Sequence, residues 1–190
     1  MHPRPLRLLL FTALGLAGSA AVFAGVAGVA TAASPPQTLR VDYFHTGNAR
    51  EERFALERVV VEPLPWPGDL AKTVDDTNLG KYLFEVIDRS SRRLLYSRGF
   101  ASIYGEWETT GEASEIDRTF SESLRFPCPP LADGPVQVVL KKRDRANDFR
   151  EIWSLVVDPA DMLVDASRPP SAGELIALQR TGDPADKLDF

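Results

Sequence analysis

The sequence has few of the side chains that most hydrolases and metalloproteins use. Its 190 residues include one cysteine, Cys128, and two histidines, His2 and His45. A single cysteine excludes an intramolecular disulfide. A helical zinc motif needs two histidines one helical turn apart with a glutamate between them, and this sequence has no such pair. We therefore expect no catalytic residue, no cofactor and no metal site in this chain.

Nucleophilic catalysis is disfavoured for the same reason. A Ser–His–Asp or Cys–His arrangement would need His45 as its base. The sequence contains no Gly-x-Ser-x-Gly turn, and Cys128 lies within Pro127-Cys128-Pro129-Pro130. We interpret His45 as a histidine at the end of a strand. We interpret Cys128 as a packed free thiol, because a lone cysteine usually behaves as a small hydrophobic residue.

The first 32 residues contain no acidic side chain. Two arginines precede an apolar run from Leu8 to Val29, which ends at Ala30-Thr31-Ala32. This order predicts a signal peptide over residues 1–32, and therefore a secreted or periplasmic protein. The alternative is an uncleaved membrane anchor, since about 20 apolar residues can span a bilayer. We favour cleavage because the run is rich in Ala and Gly rather than Leu and Ile.

Removal of residues 1–32 takes away two arginines and leaves 20 basic against 27 acidic residues, a net charge of −7. This balance disfavours nucleic acid and anionic membranes as partners. The remainder has the usual size of a single domain. We predict a short lead-in over 33–37, one domain over 38–165, and a polar linker over 166–190 with a short element at Leu175–Leu178.

The domain shows short segments rich in β-branched and aromatic residues, separated by Gly, Pro, Asn and Asp, which indicates an all-β fold. We predict an antiparallel β-sandwich of about seven strands with at most one short helix, at Gly111–Arg118. The predicted strands are Leu39–His45, Phe54–Val61, Tyr82–Asp88, Leu94–Ala101, Phe120–Phe126, Val136–Lys142 and Phe149–Val157. The predicted inward-facing residues are Val41, Tyr43, Leu83, Val86, Phe100, Val138, Leu140 and Trp153. Arg40 and Asp42 are expected on a solvated face.

Three polar segments have both a chemical and a structural interpretation. Glu106-Trp107-Glu108 would place two carboxylates beside an aromatic ring, as in sugar hydrolysis, but we favour a strand with Trp107 inward and both glutamates solvated. Asp75-Asp76-Thr77-Asn78 offers oxygen ligands for calcium, yet an Asx-type turn explains it better. Lys141–Arg145 is basic and is best explained as a solvated hairpin tip.

Trp66 and Trp107 are the candidates for a binding surface. Exposed indoles bind glycans and proteins, so the two tryptophans support a hypothesis in which the domain is an extracellular binding module. The hypothesis depends on exposure, because a buried indole offers no surface to a ligand.

Longer blocks of sequence carry a resemblance to a known family. Arg40-Val41-Asp42-Tyr43-Phe44-His45-Thr46-Gly47-Asn48 is followed by Asp75-Asp76-Thr77-Asn78-Leu79-Gly80-Lys81-Tyr82 and by Gly105-Glu106-Trp107-Glu108-Thr109-Thr110. Together with Leu95–Phe100, Arg125–Pro127 and Lys142–Asp144, these blocks resemble the N-terminal domain of IgA-peptidase-type secreted zinc metallopeptidases, peptidase family M64. The resemblance extends in collinear order from Thr38 to Asp165.

The resemblance implies a β-sandwich placed before a zinc-dependent catalytic domain in a secreted bacterial peptidase. In such proteins the catalytic domain, with its zinc, begins after a segment similar to Gly182–Phe190, so we expect this chain to stop before it. No catalytic residue of the family can be transferred to this sequence. The implied function is that of a non-catalytic accessory domain whose partner is the catalytic domain. The alternative is the free-standing binding module for glycan or protein.

Overall fold

The computed structural model describes residues 35–168 and the single positions 173, 176 and 178. The predicted signal peptide, the first two residues of the predicted lead-in and most of the predicted linker lie outside the described residues. The strands are β1 Gln37–Gly47, β2 Glu52–Pro65, β3 Tyr82–Asp88, β4 Leu94–Phe100, β5 Arg118–Pro127, β6 Val136–Arg143 and β7 Phe149–Val157. One helix, α1 at Ile103–Trp107, and 3₁₀ turns at Glu112–Ser114 and Leu131–Asp133 lie between them. All seven predicted strands are therefore confirmed.

The strands form two antiparallel sheets, with the orders β2-β1-β5 and β4-β3-β6-β7. Three neighbouring pairs are hairpins, β1–β2, β3–β4 and β6–β7, whereas β5 pairs with β1 across a long stretch of sequence. Within residues 35–168, no helix is long and apolar enough to cross a membrane. The predicted fold class, an all-β antiparallel sandwich, is confirmed.

The inner faces of the two sheets meet in one hydrophobic core. Side chains along a strand alternate between its two faces, so the buried apolar core residues of β1, β3, β5 and β6 recur at every second position. The buried members of the core include Leu39, Val41, Tyr43, Tyr82, Phe84, Val86, Tyr96, Leu124, Phe126, Val138 and Leu140. The predicted inner residues Phe100 and Trp153 pack against this core and are partly buried.

The prediction that Leu83 faces inward is wrong. Leu83 and Val86 are three residues apart on β3, and residues at odd spacing point to opposite faces of a strand. Val86 is buried in the core, whereas Leu83 is half-buried on the outer face. There it lines a small pocket with Leu79 and Phe149.

The outer face of β1 is covered by ion pairs and is less solvated than predicted. Asp42 is buried and accepts hydrogen bonds from Arg40 and Arg58, both at 2.8 Å. Glu62 on β2 joins Arg40 to Arg125 of β5, with both nitrogens 2.9 Å from its Oε1 atom. The charged residues therefore bridge all three strands of this sheet.

The helix does not lie where the sequence predicted it. Gly111–Arg118 contains only the 3₁₀ turn at Glu112–Ser114, and the α-helical turn is α1. Ser102 begins this helix, because its hydroxyl oxygen accepts a hydrogen bond from the backbone N–H of Gly105 at 2.9 Å. Serine is a favoured residue at this position. Glu106-Trp107-Glu108 therefore lies in a helix and its C-terminal cap instead of a strand.

After β7 the chain returns to the first sheet. Asp165 forms a parallel bridge with Val60 of β2, with backbone hydrogen bonds of 2.9 Å to Val59 and Val61. Val164 packs against the core. The predicted element at Leu175–Leu178 lies outside the described residues apart from Ile176 and Leu178, which are exposed.

Candidate functional site

His45 lies near the C-terminal end of β1, between two carboxylates. Its side chain is only 1% exposed. The Nδ1 atom is 3.1 Å from Oε2 of Glu122, and the Nε2 atom is 2.9 Å from Oε2 of Glu52. The ring stacks on Tyr104 of α1 with centroids 3.7 Å apart, and Tyr82 meets it edge-on. Both ring nitrogens are therefore occupied by acidic partners.

Strand register places the two glutamates. His45 pairs with Phe54 of β2 on one side and with Phe120 of β5 on the other. Residues two positions along a strand share a face, so Glu52 and Glu122 point to the same side as His45. The imidazole ring is thereby bracketed by one carboxylate from each neighbouring strand.

Further polar groups complete a buried cluster around the ring, which we call the His45 cluster. Glu122 accepts hydrogen bonds from the hydroxyl of Tyr43 at 2.9 Å and from the backbone N–H of Tyr104 at 3.2 Å. Glu52 accepts hydrogen bonds from the Tyr82 hydroxyl and from Nζ of Lys142, at 3.2 and 2.9 Å. The cluster is completed by Glu108 and Lys81. Lys142 and Lys81 both pair with Glu108, which caps the end of α1.

The charges of the His45 cluster balance only when the histidine is protonated. Three carboxylates, Glu52, Glu108 and Glu122, face two ammonium groups, Lys81 and Lys142. An imidazole can donate hydrogen bonds from both nitrogens only as the imidazolium ion. Geometry and charge balance therefore agree that the ring carries a positive charge.

The pKa directions in the cluster follow from the same contacts. Burial alone would lower the pKa of His45, but hydrogen bonds to Glu122 and Glu52 raise it above the ordinary value of 6.5. Burial alone would raise the pKa values of Glu52 and Glu122, yet their hydrogen bonds from His45 and the neighbouring donors lower both. Burial raises the pKa of Tyr43 and Tyr82, and negative charge nearby adds to it, so both phenols stay neutral donors.

The cluster does not fit a catalytic zinc ion or a general base. Zinc needs a free imidazole nitrogen, whereas both nitrogens of His45 contact carboxylates from inside the core. Within residues 35–168, no group of three or more His, Cys, Asp or Glu residues is arranged to hold a metal ion. With the histidine protonated, the acids and bases of the cluster pair with one another, and these pairs connect the strands to helix α1.

The two tryptophans of the proposed binding surface lie in different hydrophobic clusters. Trp107 is 9% exposed, packs on Tyr104 and Phe120, and donates from Nε1 to Glu112 at 2.8 Å. Trp66 is partly buried and meets Tyr96 edge-on with centroids 5.7 Å apart. The structure does not bring the two indoles together on one surface.

The glutamates beside Trp107 have separate environments. Glu106 is exposed, as predicted. The prediction that Glu108 is solvated is wrong, because its side chain is 13% exposed and pairs with Lys142 at 2.8 Å. Lys142 was also predicted to lie at a solvated hairpin tip, and it lies in the His45 cluster instead. The hairpin tip itself is the turn from Asp144 to Asp148.

The Asx-type turn at Asp75 is confirmed. Its Oδ1 atom accepts hydrogen bonds from the backbone N–H and hydroxyl of Thr77, at 2.9 and 2.6 Å. Its Oδ2 atom accepts a hydrogen bond from the N–H of Gly99 at 2.7 Å. The carboxylate therefore fastens the loop after β2 to strand β4, and its oxygens are occupied by protein donors.

An apolar groove of about 690 Å³ at one end of the sandwich is a feature that the sequence did not predict. Its walls are mostly apolar and contain several prolines. They include Pro36, Leu95, Tyr96, Pro127, Cys128, Pro129, Pro130, Leu131 and Pro159. Burial raises the pKa of the Cys128 thiol, which favours the inert thiol form over the thiolate. In the sequence, only the Pro127-Cys128-Pro129-Pro130 segment could have indicated the proline-rich wall of this groove.

Comparison with known proteins identifies the family. No curated protein matches the chain significantly. The sequence model of the family described as Peptidase M64 N-terminus matches residues 31–154, more than half of the chain, from before β1 into β7. The match includes every residue of the His45 cluster. This chain therefore belongs to the Peptidase M64 N-terminus family.

Proposed function

We propose that this chain is a non-catalytic accessory domain that supports or positions the zinc-dependent catalytic domain of a secreted IgA-peptidase-type metallopeptidase. The observation that carries the proposal is the family match, which spans both sheets of the sandwich. The state of His45 supports it. A histidine with both nitrogens bound to carboxylates inside the core serves the fold and leaves chemistry to another domain.

Export through the segment 1–32 places the domain outside the cytoplasm, as a secreted or periplasmic protein. The net charge of −7 without that segment disfavours nucleic acid and anionic membrane as partners. The partner in this proposal is the catalytic peptidase domain, and the zinc belongs to that domain. The described residues offer no set of side chains that would hold it.

Metal analysis and a peptidase assay test the non-catalytic part of the proposal. The purified chain is expected to hold no stoichiometric zinc after incubation with Zn²⁺ and to cleave neither casein nor IgA. One tightly bound zinc equivalent together with chelator-sensitive cleavage would contradict it. A His45→Gln variant is the matched control, because any activity that depended on this histidine would disappear with it.

The apolar groove favours a second function, that of a free-standing binding module for protein. Glycan sites need many polar donors and acceptors, whereas the walls here are mostly prolines, leucines and Tyr96, with Gln37, Thr73, Arg93 and Asp133 as polar members. Proline fixes its own φ angle, so such walls are preorganised for an extended apolar peptide. Leu131 lines the groove and is 61% exposed, and it offers a position at which the groove can be altered.

A matched pair of variants separates the two functions. Leu131→Arg places a charge in the groove, whereas Leu56→Arg places the same charge on β2, at a residue that is 48% exposed and is not part of the groove wall. A binding module is expected to bind apolar peptides from a library with no catalytic domain present, and to lose that binding only in Leu131→Arg. An accessory domain is expected to associate with the catalytic domain and to bind no free peptide.

A further inference from the structure

The His45 cluster joins parts of the molecule that backbone pairing does not join. His45, Glu52 and Glu122 belong to β1, β2 and β5 of one sheet, and Tyr82 and Lys142 belong to β3 and β6 of the other. Tyr104 and Glu108 belong to α1 and its cap. We propose that His45 is a pH-sensitive lock, in which the protonated ring fastens α1 to the two sheets and loss of the proton loosens α1.

The lock needs the proton because of how the ring is placed. A neutral imidazole has one N–H donor and one lone pair. Either tautomer would point its lone pair at a carboxylate oxygen about 3 Å away, since acids face both nitrogens of His45. Loss of the proton would also leave three carboxylates against two ammonium groups in a buried space. Such an uncompensated buried charge is strongly unfavourable.

The other groups that face the ring do not titrate in the same range. Three phenols face the ring: Tyr43 from β1, Tyr82 from β3 and Tyr104 from α1. Burial is the largest cause that raises the pKa of each phenol. Burial alone would lower the pKa of Lys142 on β6, but hydrogen bonds to Glu108 and Glu52 raise it. Of His45, these three phenols and Lys142, His45 therefore loses its proton first on the alkaline side.

Helix α1 depends on the cluster more than the strands do. Strand β1 keeps its backbone ladders to β2 and β5 whatever the charge on His45. Helix α1 has only five residues. It is held to the cluster by the hydrogen bond from the Tyr104 N–H to Glu122 and by stacking of the Tyr104 ring on the His45 ring. The Tyr104 hydroxyl keeps its separate bonds to the β1–β2 turn. Deprotonation is therefore expected to raise the local opening of α1 without unfolding the sandwich.

The pH window follows from the directions of the shifts. A raised pKa in the folded state means that the contribution of His45 is complete below about 6.5 and is lost as the pH rises through the folded pKa. Lowered pKa values mean that the contributions of Glu52 and Glu122 are complete above about 4.5 and are lost at lower pH. The lock is strongest between these two values.

The experiment uses the full chain with His2→Gln, which leaves His45 as the only histidine. Nitrogen NMR of the imidazole reports its protonation, and hydrogen exchange of the Gly105, Glu106 and Glu108 amides reports α1 opening. We expect a ring protonated on both nitrogens at pH 6, with a pKa above 6.5. Between that value and the folded pKa, the opening constant should rise up to about tenfold per pH unit, after correction for the intrinsic exchange rate.

Two variants separate the lock from a merely structural histidine. In Glu122→Gln the amide keeps hydrogen-bonding groups in place, so the folded pKa of His45 should fall. The rise in α1 opening should still start near pH 6.5, but it should end at a lower pH and be smaller in total. His45→Gln should remove the pH dependence. If His45→Gln does not fold, the NMR and hydrogen-exchange measurements on Glu122→Gln test the proposal by themselves. A ring that is neutral at pH 6, or α1 opening that is independent of pH in the His2→Gln chain, would overturn the proposal.

Discussion

Replacement of His45 by phenylalanine removes the positive charge of the imidazolium but keeps an aromatic ring, so its effect on stability reports the charge separately from ring packing. Phenylalanine keeps an aromatic ring against Tyr104 but removes one positive charge from a set in which three acids face three cations. Glu52 still has Lys142 as a partner. Glu122 keeps only neutral donors, the Tyr43 hydroxyl and the Tyr104 N–H, so its charge is the one left uncompensated.

The magnitude follows from burial. His45 and Glu122 have side chains that are 1% and 8% exposed, so solvent screens little of the lost interaction. Removal of one partner of such a pair costs about 3–5 kcal/mol. That is a large part of the stability of an ordinary domain, about 5–15 kcal/mol. We therefore expect His45→Phe to lower the free energy of unfolding at pH 6 by about 3–5 kcal/mol.

A second substitution, Glu122→Gln, should change stability in opposite directions in the wild-type and His45→Phe chains. Glu122→Gln removes the uncompensated charge but keeps an acceptor for Tyr43 and Tyr104. It should destabilise the wild-type chain and stabilise the His45→Phe chain, with a coupling energy of about 1–3 kcal/mol. Urea denaturation at pH 6, followed by tryptophan fluorescence, measures all four corners of this cycle. Leu56→Gln, at an exposed position, should change stability by less than about 0.5 kcal/mol. If Glu122→Gln destabilised both backgrounds equally, the charge-balance argument would be refuted.

Two further substitutions test the way the loop after β2 is held. Asp75→Ala removes the acceptor of the Gly99 and Thr77 N–H groups and should cost about 1–3 kcal/mol in urea denaturation, whereas Asp76→Ala, at the exposed neighbour, should cost almost nothing. Equal effects would show that the turn does not fasten the loop. Gly99→Ala would place its new carbon 2.2 Å from the carbonyl oxygen of Leu79, so it should lower stability by about 1–3 kcal/mol. An unchanged melting temperature would mean that the loop can move away at little cost.

The sequence predicted the strands because their signal is local. Alternation of apolar residues in β1 and β6, and turn residues between segments, depend only on neighbours along the chain. The same locality explains the error at Leu83, where an apolar residue on the outer face cannot be told from a core residue by its type. It also explains the misplaced helix, since α1 depends on the Ser102 cap and on aromatic packing with Phe120 of β5.

The site could not be predicted because it depends on pairing between distant segments. His45 and Glu122 are 77 residues apart, and Lys142 lies 90 residues from Glu52. Each looked ordinary in its own segment: a histidine near a strand end, a glutamate within a strand, a lysine in a basic run. Only the register of β1 with β2 and β5, and the packing of one sheet on the other, gathers them into one cluster.

The central claim is that this domain supports a catalytic domain of its family. The most direct measurement is to mix the purified chain with a separately produced zinc-peptidase domain of the same family and to follow complex formation by sedimentation. The thermal stability of the peptidase domain is measured in parallel. We predict a one-to-one complex in which the peptidase domain melts at a higher temperature than alone. Separate sedimentation at high micromolar concentration, with an unchanged melting temperature, would contradict the claim.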